Sequence, residues 1–550
     1  MKKYNLFKVL VITVVIAWLL TLIIPGSYVD YSGGITKSAI SGAGIFGLLS
    51  NLNISISYFN GIAIFLIAVA CFYAVLNKTE SYEKFIKAIT KKFEGKQSLL
   101  VILTTIIYGV LSIFLNDFLL LILFVPFIYK VMEKLEIDKK IALASTLVSA
   151  LIGSMCSIYN STLFSVFSLK INTLLLVKVI LFVLSISVLL AIITPRKVAK
   201  KKASKKEETK KTAVKKETLK VKKVNKILYL VLTLLFGTFG INKFYAGKIK
   251  SGVLSLVFCW TLIPTVLSIA EFITLLTEKS DKDGKIEAIS TRRNSVSFAV
   301  LLVLFVLFVI GSSIPWEAVI NKLTIFTDFN TWLTKIKIGN YNIFSNIIGS
   351  PVIADATYGS TTGVIAVFGT WQLTDIAILL FVLTAVIAIA SNMKFDNFVS
   401  TVTNCIKNIL PVAITAMLIS IVLVIIVTTG INITIVNAIL TITKGFNIAT
   451  STIATLIGSL LTSDFYYLLS TSGSVFTTVI TNKDYYGVIA FIIQTIYNFA
   501  MIFAPTSVGL VIGLYYLNIP YNKWLKFIWK LLLALFIIII ITTIVIYALV

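Results

Sequence analysis

Residues 112–124 read SIFLNDFLLLILF, and Asn116 and Asp117 are a polar pair inside a run that is otherwise almost entirely apolar. An aspartate near the bilayer centre costs about 2.5–3.5 kcal/mol on insertion scales. The pair therefore needs either a purpose or a place close to water. The flanks narrow the choice. The run extends over 98–129, with Lys78, Lys84, Lys87, Lys91, Lys92 and Lys96 before it and Lys130, Lys134, Lys139 and Lys140 after it. Basic loops stay on the cytoplasmic side. A segment that leaves and returns to one side is two short spans or a re-entrant hairpin, with Asn116-Asp117 near its turn.

Composition sets the class. Of the 550 residues, 58% are apolar and 13% charged, against about 25% charged in soluble domains. Mean hydropathy is +0.98. At least ten apolar stretches are long enough, or nearly so, to cross a bilayer, whose core is about 30 Å thick. The expectation is an all-α polytopic membrane protein. The first apolar run follows Met-Lys-Lys without a small-residue cleavage site, so it reads as a retained helix. Cys71, Cys156, Cys259 and Cys405 lie in apolar runs and read as core residues. The chain has no histidine, which excludes histidine metal sites, proton relays and triads. No catalytic signature replaces them, so an enzyme is not expected.

The net charge of +26 is unevenly placed. Nearly half of the excess sits in 195–226, led by Arg196, Lys197, Lys200, Lys201, Lys202, Lys205 and Lys206, and most of the rest flanks apolar segments. That pattern suits anionic lipid at a cytoplasmic face and not a nucleic acid.

Counting loops by charge gives an order. Span 7–25 runs outward, 26–58 stays external, and 59–77 returns. The 98–129 hairpin follows, then 140–168 outward and 171–194 back to the basic linker. A small apolar unit occupies 226–277. Span 296–314 runs outward, an external stretch reaches about residue 370, and 373–390 runs inward. Span 409–430 runs outward, a second hairpin lies near 446–482, 485–518 runs inward and 525–549 runs outward. The N-terminus is then cytoplasmic and the C-terminus external. The divisions are a first repeat at 1–194, a basic linker at 195–225, an inserted module at 226–285, an extra span and external segment at 286–372, and a second repeat at 373–550.

The halves echo one another. FIKAITK (85–91), YGVLSIFLNDF (108–118), SIYN (157–160) and SLKIN (168–172) recur in order as NAILTITK (437–444), IGSLLTSDF (457–465), TIYN (495–498) and YLNIP (516–520). The loop count gives the copies opposite orientations, as in transporters built from inverted repeats. Asp117 thereby gains a twin in Asp464. The pair reads either as helix caps near an interface or as carboxylates lining a midplane cavity that holds a cation, a proton or an amine. Asn160, Ser161 and Thr162 interrupt one span. Asn498, and then Pro505, Thr506 and Ser507, interrupt its counterpart. Such breaks free backbone carbonyls for ions or solutes, or are simple proline and hydroxyl kinks. Ser470, Thr471, Ser472, Gly473 and Ser474 make a poor helix and read as a hairpin tip or an external turn.

The C-terminal stretch APTSVGLVIGLYYLNIPYNKWLKFIWKLLL (504–533) resembles the YfcC family, grouped with the anaerobic four-carbon-dicarboxylate carriers of the ion-transporter superfamily. FGTWQLTDIAILLF (368–381) and IIPGSYVDYSGG (23–34) are similar to it as well. The resemblance covers about 1–194 and 296–550. It implies a bacterial cell-membrane transporter with two inverted repeats, two re-entrant hairpins and elevator movement. By position, 470–474 resembles that family's Ser/Gly hairpin tip and 505–507 its Pro-Thr-Ser element. The interval between them is shorter than the family's, and Asn116-Asp117 stands where the family carries a glutamate-rich turn. The insert LLFGTFGINKFYAGKIKSG (234–252) resembles the TM2 domain, a two-helix membrane module, through Gly237, Gly240, Lys243, Phe244, Tyr245, Gly247 and Gly252, with Glu271 as its acidic residue. The DKDG at 281–284 is too short for a calcium loop.

The functional expectation is ion-coupled movement of a small organic solute, with sodium or a proton as coupling ion, no other cofactor, and a homodimer in the bilayer. With no lysine or arginine read deep in a span and two aspartates there, the solute leans toward a cation or zwitterion over a dicarboxylate. The alternative is a non-transporting scaffold or sensor organised by the insert.

Overall fold

The computed structural model describes the chain apart from residues 1–2, 31–33, 39–41, 116, 159–160, 170–173, 195–222, 258, 260–262, 289–290, 321, 349, 352–362, 365 and 444. Asn116, Asn160 and most of the basic linker lie outside the described residues, as do the side chains of Ser161 and Thr162. Of the described residues 78% are helical, and the chain is an all-α polytopic membrane protein. Among the described residues, Leu6–Ile23, Gln97–Phe114, Leu175–Ile193, Leu373–Ala390, Phe395–Thr429 and Tyr521–Ala548 are long and apolar enough to cross a bilayer. Ile45–Ser57 and Asn60–Leu76 form a bent pair, at 48°, that passes the same test together as a broken span or a re-entrant loop. Leu176, Val183, Ile378 and Ile541 on these helices are exposed, which in water would be a liability and in lipid is the expected outer face.

Helix Ile45–Leu76 corrects one boundary. The segment 26–58 was expected to stay outside, yet the helix already begins at residue 45. Asn51, Asn53, Ser55 and Ser57 hid it. Ser55 and Ser57 donate to the carbonyls four residues back, Asn51 and Asn53, so their hydroxyls are satisfied inside a helix.

Two compact units partition the chain: residues 1–76, 92–194 and 311–550 form the larger, and 77–91 with 195–310 the smaller. In the larger unit an element order recurs. The first half has helix Gln97–Phe114, a break at 115–117, a second arm Phe118–Phe124 and Val125–Lys134, a helix from Lys139 to Met155, a break, a short helix Ser161–Phe167 and a long helix Leu175–Ile193. The second half has Ile448–Leu461, a break at 462–464, a second arm from Phe465 to Val479, helix Tyr486–Met501, a break, helix Val508–Leu517 and long helix Tyr521–Ala548. Like elements meet like neighbours. Gln97–Phe114 and Leu175–Ile193 both pack on Ser149–Met155, as Ile448–Leu461 and Tyr521–Ala548 pack on Tyr486–Met501. Across the halves, Ser149–Met155 packs on Tyr486–Met501, and Leu175–Ile193 on Tyr521–Ala548. Helix Tyr486–Met501 is the centre: every residue from Val488 to Met501 is buried.

The recurrence moves one proposed match. SIYN falls at the first break, but TIYN lies inside helix Tyr486–Met501. The counterpart of the first break is 502–507, where Pro505 lacks the N–H that would continue the helix. Three shared letters misled because Tyr497 and Asn498 face partners within the core, not a break. Most of SLKIN lies outside the described residues; Ser168 and Asn518, at φ 53° and 56°, each stand a few residues before the last helix of their half.

The first helix, Lys3–Ile23, packs on Phe395–Thr429. The following loop is clasped onto the turn at Gly430. The Ser27 amide donates to the Gly430 carbonyl at 3.2 Å, the Ser27 and Thr434 hydroxyls meet at 2.8 Å, and Thr434 donates to the Pro25 carbonyl at 2.6 Å. Gly430 has φ 68°, and a Cβ there would sit 2.3 Å from the Ser27 carbonyl oxygen. Gly430→Ala is expected to lose about 2 kcal/mol or more, combining the left-handed penalty with the backbone clash. The midpoint of thermal unfolding in detergent measures it.

In the smaller unit, helices Lys226–Phe236 and Ile263–Thr277 are joined by shorter pieces, Ile241–Tyr245 and Ile249–Val257. Strands Lys223–Asn225 and Lys285–Glu287 pair antiparallel and close the module. Val224, Tyr229, Ala246, Leu275, Ile286 and Ala288 form its core. Asp281, in the DKDG turn, accepts from the Asp283 and Lys285 amides and pairs with Lys223 at 2.9 Å. The Lys223 ammonium holds its carboxyl below the usual range.

Candidate functional site

Each hairpin arm ends where an aspartate stands. Asp117 caps the second arm of the first hairpin, its carboxylate accepting from the Leu119 amide at 2.8 Å. Asp464 caps the second arm of the second, accepting from Tyr467 at 3.1 Å. The capping reading is therefore correct for both. The two carboxylates also lie near enough to act on one another. The Asp117 side chain is exposed.

The second break joins the same neighbourhood. Ser507 caps helix Val508–Leu517 through Leu510 at 3.4 Å, and Thr506 donates to the Leu460 carbonyl at 3.1 Å, at the end of the second hairpin's first arm. Both are buried. A Cβ on Gly509 would touch Phe118 and Leu119, so this half-helix starts against the residues that follow Asp117. Tyr497 donates to the Ser463 carbonyl at 2.9 Å and its ring lies 4.9 Å from Phe465, fixing the second hairpin's turn on the central helix. Asn498 donates to the Gln494 carbonyl at 2.9 Å, while its Oδ1 and the Ser463 Oγ are buried with no partner among the described residues. An unpaired buried polar atom costs about 1–3 kcal/mol, so these two oxygens are candidates for an incoming ligand.

Ser470 to Ser474 are not at a hairpin tip. The tip is 462–464, and 469–473 is a wide helical turn inside the second arm. The physical reason is back-bonding: Thr471 donates to the Tyr467 carbonyl at 2.6 Å and Ser474 to Ser470 at 2.8 Å. Small polar residues stay helical when their hydroxyls are satisfied this way. The amide of Asn432 reaches Thr471 and Ser472 at 3.1 Å each, holding the turn from a neighbouring helix. The sequence carries no periodic signal for Asn432. Gly473 abuts Val166 of the first half.

A second correction concerns charge. Lys178, in helix Leu175–Ile193, is 4% exposed. Its ammonium donates to the Ser157 carbonyl and the Gln494 Oε1, both at 2.8 Å. Gln494 in turn donates to the Ser154 and Ser157 carbonyls at 3.1 and 3.0 Å. A lysine is thus buried within a span-length helix, so its supposed absence no longer favours a cationic solute. Its position only four residues into the helix made it look like a flanking loop residue. The long stem instead reaches inward.

In the smaller unit Glu271 is the acidic centre. Tyr229 donates to Oε1 at 2.6 Å and the Asn242 amide to Oε2 at 3.2 Å, and Asn242 also reaches Thr233 at 3.1 Å. Lys243 donates to Ser255 at 2.5 Å. Gly252 lets the Phe244 ring lie flat against the backbone.

Comparison with known proteins concerns this unit. The family described as TM2 domain matches residues 222–273. The uncharacterized membrane protein YozV of Bacillus subtilis (strain 168) is 46% identical over 56 residues, which is 10% of this chain and 71% of that protein.

Proposed function

We infer that this chain, which belongs to the TM2-domain family through residues 222–273, is a secondary transporter carrying that module between its two like-ordered halves. The observation behind the reading is the pairing of Asp117 and Asp464. Equivalent breaks of the two halves bring two carboxylates near one another. A scaffold has no need to meet the cost of clustering like charges in a membrane interior. A carrier uses such a pair to take up a cation, a proton or a protonated amine. Breaks in both central helices, and the unpaired oxygens of Asn498 and Ser463, suit coordination of sodium and hydrogen bonding to solute.

In this reading the solute is a small amino acid or dicarboxylate, and sodium or a proton couples its movement. The order of elements in the two halves, together with the resemblance to YfcC-type carriers, favours inverted repeats working by elevator motion in the cell membrane, as a dimer, with the N-terminus cytoplasmic. The test is uptake of labelled arginine, ornithine and succinate into proteoliposomes under imposed sodium and proton gradients. Gradient-driven accumulation of any of the three supports the reading. Absence of all transport, with loss of a cellular phenotype on deleting 226–285 alone, would favour the scaffold.

A further inference from the structure

We propose that the break in the first half is held by a tethered cation, the Lys178 ammonium, in a seat that otherwise takes a small monovalent metal ion. The seat is made of oxygens. Helix Ser149–Met155 ends at Cys156, and the carbonyls of Ser154 and Ser157 are turned toward side chains of other elements. Carbonyls at a helix C-terminus carry partial negative charge and need a donor or a cation. Within a membrane no bulk water supplies one. Gln494 adds its Oε1 from the central helix of the other half. Hard oxygens of this kind are the ligands that alkali and alkaline-earth ions take. Here the Lys178 nitrogen stands among them, 2.8 Å from two, in a cluster where Lys178 and Gln494 are 4% and 2% exposed.

The second half shows what the same position does without charge. Lys178 is the fourth residue of Leu175–Ile193, and Trp524 is the fourth of Tyr521–Ala548. The fully buried Trp524 indole donates to the Ile502 carbonyl at 3.0 Å, at the second break, and the Tyr521 hydroxyl donates to Phe503 beside it. Both long helices thus cap the break of their own half from the same place. One uses an ammonium and the other neutral donors. Among the described residues the two breaks differ by one positive charge, so the first is already neutralised and the second is the one left to engage a mobile cation. The seat itself stands on geometry alone; only this last consequence rests on the transporter reading. Lys178 also joins the halves, since its partners come from both.

The experiment is thermal unfolding of the full-length protein in detergent, in choline, lithium, sodium and potassium chlorides at equal ionic strength. Lys178→Met is expected to unfold lower than wild type in choline by about 5 °C, and to recover by about 3 °C more than wild type does in at least one metal chloride. Lys178→Gln, which keeps a neutral donor as Trp524 does, should show a smaller loss in choline and the same added metal response. Lys178→Arg should need no metal. A metal response of Lys178→Met and Lys178→Gln equal to that of wild type overturns the proposal. So does failure of both to fold in every salt, because a seat that accepts a metal ion is rescued by one. Neither result depends on uptake, and a failed uptake assay leaves the salt series unchanged.

Discussion

Asp117→Asn and Asp464→Asn each lower gradient-driven uptake by about tenfold or more, while the protein unfolds within a degree or two of wild type. Asparagine is what gives this result its meaning. It caps a helix about as well as aspartate, so the bonds to Leu119 and Tyr467 persist. Only the charge is removed. If the carboxylates serve the fold alone, the two asparagine variants transport normally, and the alanine variants lose about 1 kcal/mol of stability for the missing cap. If they hold the travelling cation or proton, the asparagine variants are inactive and stable together. If the two carboxylates hold one ion between them, the double variant should cost far less than the product of the single losses. Uptake and unfolding are measured on the same preparations.

Gly153→Val should abolish accumulation of folded protein. A Cβ at residue 153 would lie 2.1 Å from the Gly109 carbonyl oxygen and 2.9 Å from the Ser112 Cβ. The nearest atom belongs to backbone, so no side-chain rotation relieves the contact. Helices Gln97–Phe114 and Ser149–Met155 would have to separate, and the first hairpin would leave the central pair. Close approach through small residues is how helices associate where lipid offers no hydrophobic drive. Overpacking in a tight core costs about 1–3 kcal/mol, and here the unyielding carbonyl puts the loss at the upper end. Gly47→Ala is the control, since its nearest neighbour would be 3.8 Å away. Detergent-soluble monodisperse yield separates the two.

Much of this architecture could be read before any coordinates. Long apolar runs interrupted by polar residues gave the turn of the first hairpin and the extent of the second, though not its tip, and 373–390 is a helix with those same ends. The insert was legible because its glycines sit where backbones touch. Three features escaped for physical reasons. The Ser-Thr-Ser-Gly-Ser run looked like a turn because propensity describes isolated residues, whereas back-bonding and Asn432 keep it helical. Lys178 looked peripheral because its position in the chain says nothing of where a flexible stem points. Gln494 and Trp524 are unremarkable in sequence, and only tertiary packing aims them at broken backbone. Asp117 and Asp464 were visible as a pair, but their nearness depends on how the halves meet.

The clasp between the loop after the first helix and the Gly430 turn bears on how the chain is made. Ser27 and its hydroxyl partner Thr434 are 407 residues apart. The opening helix therefore leaves the ribosome long before its partner helix Phe395–Thr429 exists, and must wait in lipid without it. Biogenesis of this protein thus finishes by a late closing step, and a fragment truncated before residue 395 lacks the surface on which that step occurs.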